Sequence, residues 1–161
     1  MIVKMRIDDR LLHGQIAYSW RAALSYQAIV IASDAAANDD IRKAAMKMST
    51  PDGVKLAVRT IEEAGKLLMN PKLAKLKVFV ITANPKDAYQ LLNLIEERPS
   101  LNVGGMQKAV DKVAFSAAVF TSKEDIQYLD QMDEMGIEIE VRQVPTESAK
   151  KYQSIRKKIK F

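Results

Sequence analysis

The chain has 161 residues, 48% of them hydrophobic and 28% charged, with a formal net charge of +5; this is the balance of one globular domain, and no apolar run approaches the ~20 residues of a membrane helix. It has no cysteine, which excludes disulfides, thiolate catalysis and cysteine-ligated metals and fits a reducing compartment. The positive balance attracts an acidic partner, a phosphorylated ligand or nucleic acid without choosing among them, and the opening MIVKMRIDD turns polar too soon for a signal peptide.

In chain order, IVKMRI (2–7), AIVIAS (28–33), VKLAV (54–58) and KVFVIT (77–82) are predicted strands, short, rich in β-branched residues and bounded by polar or turn residues. Between them the period is helical. Ile16, Trp20 and Leu24 share one face of a first helix. Asn38 is the expected N-cap of a second, ahead of Ile41, Ala45 and Met48, with the TPDG turn at 50–53 as its stop. A third spans about 60–69 and stops before Pro71; a fourth opens with Asn84 as cap and Pro85 in its first position. A short strand near 101–103 and another about 113–119 follow. A helix then begins at TSKEDI, where Ser122 and Asp125 fit a capping box, and ends at Gly136 before the strand IEIEVRQV (137–144). The basic run AKKYQSIRKKIK reads as the solvated face of a terminal helix. Strands alternating with helices mean a mainly parallel sheet covered on both faces, in a single domain.

The only histidine, His13, lies in RIDDRLLHGQ (6–15), just past the carboxyl end of the first predicted strand. Ligands bind at that edge of an open α/β sheet. Gly14 lets the backbone turn there, and the first helix would aim its unpaired N–H groups at an anion beside the imidazole. Arg10 can set a permanently charged fork against phosphate oxygens. Asp8 or Asp9 can accept from one ring nitrogen and leave the other as nucleophile; each reads alternatively as a loop cap or an ion-pair partner of Arg6 or Arg10, for Asp9 at least as readily. These residues make a plausible site for phosphorylation of His13. Two rival readings remain open at this point: a carboxylate-dominated Mg²⁺ site at Asp8, Asp9 and His13 serving a phosphoester hydrolase, and a nucleic-acid-binding module. The second lacks a binding motif and clustered aromatics.

RIDDRLLHGQ closely resembles the phosphorylation-site segment of the IIB component of the mannose/fructose/sorbose class of the bacterial phosphoenolpyruvate-dependent sugar phosphotransferase system. SDAAANDDIRKAAMKMSTPDGVK (33–55), VFVITANP (78–85), LNVGGM (101–106) and MGIEIEVRQVPT (135–146) resemble segments of that family in the same order. The resemblance spans nearly the whole chain, with QKAVDKVAFSAAVF (107–120) as the main departure.

The resemblance implies one domain over 1–161: an α/β fold with an open, mostly parallel seven-stranded sheet, one antiparallel edge strand and helices on both faces. It makes His13 the phosphohistidine, with Nδ1 the phosphorylated nitrogen. Arg10 becomes the phosphoryl-stabilising residue and Asp8 and Asp9 the acidic pair that orients the imidazole. Gly14, Gln15, Asn84, Gly104 and Gly105 become phosphate-loop candidates. The implied activity is that of a protein-Nπ-phosphohistidine–sugar phosphotransferase. A phosphorylated IIA protein donates, and membrane IIC and IID components present a sugar of the mannose, fructose, sorbose or N-acetylgalactosamine type. It requires no cofactor or metal and no nucleic acid, and it places the chain in the cytoplasm, peripherally at the transporter complex. Met132 and Met135 read either as core or as the face of a homodimer.

Overall fold

Strands β2 (Ala28–Ala32) and β4 (Val78–Thr82) are buried at every position, so both faces of the sheet must be covered. The computed structural model describes residues 1–160 and provides that cover. With β1 (Ile2–Asp8), β3 (Lys55–Arg59), β5 (Leu101–Gly105), β8 (Ile139–Val141) and β9 (Lys150–Lys151), these strands form one seven-stranded sheet in the order β3-β2-β4-β1-β5-β8-β9. All neighbours are parallel except β9, which runs antiparallel to β8 at the edge. Strands β6 (Val113–Ser116) and β7 (Val119–Thr121) form a separate antiparallel pair.

Helices α4 (Ile61–Leu68), α5 (Pro85–Leu92) and α6 (Lys123–Glu134) cover one face, burying Ile61, Leu91, Leu129 and their neighbours against Met5, Ile7, Val80 and Val103. Helix α1 (Gly14–Leu24), the short α2 (Asp34–Ala37) and α3 (Asp40–Met48) cover the other, with Trp20, Ala36 and Met46 packed on Ile29, Ile31 and Phe79. The chain leaves β1 for α1 on one face and leaves its neighbour β4 for α5 on the opposite face. The two connections diverge, and the carboxyl ends of β1 and β4 therefore border the crevice of a topological switch point.

Several expectations needed correction. Asn38 ends α2, and it is Asp39 that caps α3 by accepting from the Ile41 and Arg42 amides. The apolar residues that mark α3 in the sequence point to solvent: Ile41 is 83% and Met48 87% exposed, and Met46 alone is buried. Apolar periodicity records which residues share a face, not whether that face meets a partner. Residues 137–144 yield only the three-residue β8, because the chain beyond Val141 turns its carbonyls to side chains: Arg142 O accepts from Asn102, and Gln143 O from Arg6 and Trp20. The basic tail forms edge strand β9 and a short α7 (Tyr152–Arg156) rather than one long helix; lysines at a sheet edge also oppose further strand addition. The strand expected over 113–119 is the β6–β7 pair. Met132 is fully buried and the half-buried Met135 packs against the same cluster, so both contribute to the core.

Candidate functional site

The site begins with two polar residues inside a buried strand. Met5 and Ile7 face the α4–α6 side, so alternation along β1 turns Arg6 and Asp8 toward α1, where both are buried. Burying a guanidinium and a carboxylate is tolerable only when each is paired and hydrogen-bonded. Asp8 Oδ2 accepts from Arg6 Nη2 at 2.9 Å and from Arg6 Nε at 3.3 Å. Arg6 Nη1 donates to Asn102 Oδ1 at 2.7 Å and to the Gln143 carbonyl at 2.9 Å, and the guanidinium lies 5.6 Å from the centre of the Trp20 ring. Burial pulls the Arg6 guanidinium below its ordinary value while Asp8 pushes back, and the group stays charged.

The loop after β1 is built on Asp8. Its carbonyl accepts from the Leu11 amide at 2.9 Å, and its Oδ1 from the Arg10 amide at 2.9 Å. Leu11 takes a left-handed φ of 57°, which costs a residue with a Cβ about 1–2 kcal/mol. Leu11 and Leu12 are buried in the core beneath the loop, and that burial offsets the strain. Gly14, at φ 42°, then starts α1.

His13 is the residue before α1, and its Nε2 lies 3.0 Å from Asp8 Oδ2. An ionised carboxylate only accepts, so the proton in this bond sits on Nε2, and in the neutral ring Nδ1 keeps its lone pair. The His13 side chain is 18% exposed, more enclosed than a free loop histidine. Its engagement with Asp8 leaves α1 without a side-chain cap, and α1 has no acidic residue in its first turn. Helices α3, α4, α5 and α6 all have both. Thus the α1 terminus alone among these long helices leaves its N–H groups and positive dipole end unmatched, next to the imidazole. Arg10, three residues before His13 in the same loop, is exposed, and its guanidinium has no hydrogen-bond partner among the described residues.

The carboxyl edge of β1 therefore presents a nucleophilic nitrogen, an unmatched helix terminus and a free arginine. The family model for the sorbose subfamily IIB component of the phosphotransferase system matches residues 2–161. The sorbose-specific EIIB component of Klebsiella pneumoniae is 32% identical over 91% of this chain and 89% of its own length. The mannose-specific EIIAB component of Escherichia coli K12 is 34% identical over 96% of this chain and 48% of its own length. The crystal structure of the IIBSor domain of the Klebsiella pneumoniae sorbose permease superposes with a TM-score of 0.94 at 29% identity, covering 100% of this chain and 99% of that one. The chain belongs to the sorbose subfamily of phosphotransferase-system IIB components. It is a phosphocarrier subunit of a sugar phosphotransferase system. No described helix is long and apolar enough to cross a membrane.

In this IIB component the sequence-based candidates divide. Asp8, not Asp9, meets the imidazole; Asp9 Oδ2 accepts from the Gln107 amide at 2.6 Å and pins the loop to the segment after β5. Gly104 and Gly105 are strand residues of β5, not a phosphate loop. A Cβ on Gly104 would lie 2.1 Å from Arg6 Cζ, and one on Gly105 would lie 3.2 Å from Asp8 Oδ1, so both glycines make room for the buried pair. Asn84 spends its Oδ1 on the Asp87 amide at 2.8 Å as the α5 cap. Gln15 is exposed in the first turn of α1. With Asp8 already bonded to Arg6, His13 and the Arg10 amide, and Asp9 turned to Gln107, the loop does not gather free carboxylates for Mg²⁺. Sequence reasoning offered Arg6 only as an alternative ion-pair partner of the aspartates, which its bond to Asp8 bears out, and missed Asn102 and Gln143 as site supports. The available signal was a charged residue inside a strand of a sheet covered on both faces.

Proposed function

We propose that His13 Nδ1 is the phosphoryl acceptor, with Asp8 orienting the ring and Arg10 and the α1 terminus binding the phosphoryl oxygens. The observation that carries this reading is the bond from Nε2–H to Asp8, which in the neutral ring leaves Nδ1 as the unprotonated nitrogen beside the uncapped helix. As Nδ1 attacks in line, the new N–P bond forms with its lone pair while the N–P bond of a phosphohistidine donor breaks and its electrons return to the donor ring. No proton has to leave Nδ1. The phosphorylated ring keeps its Nε2 proton against Asp8, which eases its later departure as neutral imidazole when a sugar hydroxyl attacks, the O–P bond forming as the N–P bond breaks and the hydroxyl proton passing to solvent. The equatorial phosphoryl charge falls to Arg10 and the α1 N–H groups.

The donor in this scheme is a phosphorylated IIA protein, and the acceptor is a sugar of the mannose, fructose, sorbose or N-acetylgalactosamine type held by membrane IIC and IID components. The chain then works on the cytoplasmic side, peripheral to the membrane complex, as a protein-Nπ-phosphohistidine–sugar phosphotransferase. Names among its relatives span this range of sugars, including a fructose-specific EIIB component of Bacillus subtilis and an N-acetylgalactosamine-specific IIB component from Escherichia coli.

The test is intact-protein mass after incubation with phosphoenolpyruvate, the general phosphotransfer proteins and a IIA protein, followed by acid treatment and site mapping. One acid-labile phosphoryl group on His13, absent in His13→Ala, is the expected result. A folded His13→Ala protein labelled as fully as the parent overturns the assignment.

A further inference from the structure

Arg6 touches neither the imidazole nor open solvent, yet its side chain makes as many hydrogen bonds as that of Asp8, which does touch the imidazole. Its fork is spread over three fixed acceptors: Asp8 Oδ2, Asn102 Oδ1 at 2.7 Å and the Gln143 carbonyl at 2.9 Å. Trp20 closes it in from α1, and only a residue without a Cβ at 104 leaves space for it. So constrained an arginine holds Asp8 in one orientation, with Oδ2 toward His13 Nε2 and Oδ1 toward the Arg10 amide.

We propose that Arg6 is the positioning residue of this site: by fixing and charge-compensating Asp8, it keeps His13 as the neutral Nε2–H tautomer with Nδ1 free to attack. The role rests on the phosphoryl-acceptor reading of His13, but the state of the ring can be measured without any phosphoryl transfer. An uncompensated carboxylate 3.0 Å from an imidazole stabilises the imidazolium. In an imidazolium both nitrogens are protonated, and Nδ1 has no lone pair to give. The Arg6 cation on the far side of the same carboxylate opposes that protonation while leaving the hydrogen bond in place. The other charges around the pair do not duplicate it. Lys4 and Arg142 are paired with Glu140, β5 contributes only Asn102 and glycines on this face, and α1 presents the Trp20 ring. Glu147 approaches from the loop after β8, where its carboxylate accepts from the Gln143 amide. Asp9 is bonded to Gln107, and Arg10 contributes only its amide to Asp8.

Because His13 is the only histidine, ring-¹⁵N-labelled protein gives the resonances of this one side chain. In the unphosphorylated parent, Nε2 should carry the proton and Nδ1 should be bare. In Arg6→Met the midpoint of the ring's titration should rise by about 1 pH unit or more. The acid limb of the rate–pH profile for phosphoryl acceptance should move by the same amount, with the rate recovering toward the parent's at alkaline pH. Arg6→Lys keeps the charge without the fork, so its titration should stay near the parent's while its rate falls. Should Arg6→Met fail to fold, Gly104→Ala displaces the guanidinium by sterics and should move the midpoint in the same direction. An unmoved midpoint in a folded Arg6→Met or Gly104→Ala protein, with the rate lowered equally at every pH, would mean that Arg6 is merely structural and overturns the proposal. A shifted ring in a protein that accepts no phosphoryl group from any competent donor would support the role of Arg6 and sink the reading of His13 as acceptor instead.

Discussion

Two strand-to-helix turns lie side by side at the carboxyl edge, one after β1 and one after β4, where Ile7 and Thr82 are in register. After β4, Asn84 caps α5 by accepting from the Asp87 amide and Pro85 occupies a first-turn position, so the local demands of a helix start are met within four residues. After β1 the residue in the same position is His13, whose side chain is drawn away to Asp8 and leaves α1 uncapped. The closed turn contributes stability. The open one gives up a cap worth about 1 kcal/mol and keeps its N–H groups for an incoming anion. The contrast teaches that a functional helix terminus can be recognised by the local satisfaction it withholds.

The sharpest way to break this contrast is to remove the cation at the open turn. Arg10→Ala should slow phosphoryl acceptance by about 100-fold with little change in thermal stability, whereas Lys150→Ala and Lys151→Ala should stay within about twofold of the parent. Equal rates in the three variants would reduce Arg10 to a solvated side chain. At the closed turn, Asn84→Ala should cost about 1 kcal/mol in urea unfolding and leave the rate of phosphoryl acceptance untouched. A rate that falls along with the stability would instead put Asn84 among the phosphate ligands.

Giving the open turn what the closed one has should trade function for stability. Gln15→Glu places an acid in the first turn of α1, for a gain of about 0.3–1 kcal/mol in stability and a loss of about two- to fivefold in acceptance rate. If both quantities moved in the same direction, the helix terminus would have no part in holding the phosphoryl group. The smallest effect concerns pH. Burial, reinforced by Asp34, pushes the Asp87 carboxyl above its ordinary value. The folded state then holds that proton more tightly than the unfolded chain, so this contribution to stability is present in acid and is lost as pH rises through the folded-state value. Asp87→Asn should therefore match the parent in acid and unfold at a slightly higher temperature near neutrality, which parallel melts at the two pH values would check.

Alternation of strands with helices, the caps at Asn84 and Ser122 and the stop at Gly136 are local features, and the sequence by itself determined them because each is satisfied within a few residues of chain. The same holds for the place of His13 between a strand and a helix, and the family likeness was legible for the same reason. Tertiary structure alone decided which acidic residue meets the imidazole: Asp8 and Asp9 are adjacent in sequence, and strand alternation sends one toward Arg6 and His13 while the other reaches Gln107. It also decided that the exposed stripe of α3 has no partner within the chain and that Met132 does. Gly104 makes the point most directly, since nothing near it in the chain calls for a glycine. The requirement comes from the Arg6 guanidinium on the adjacent strand, 98 positions away, which takes the space a Cβ would need.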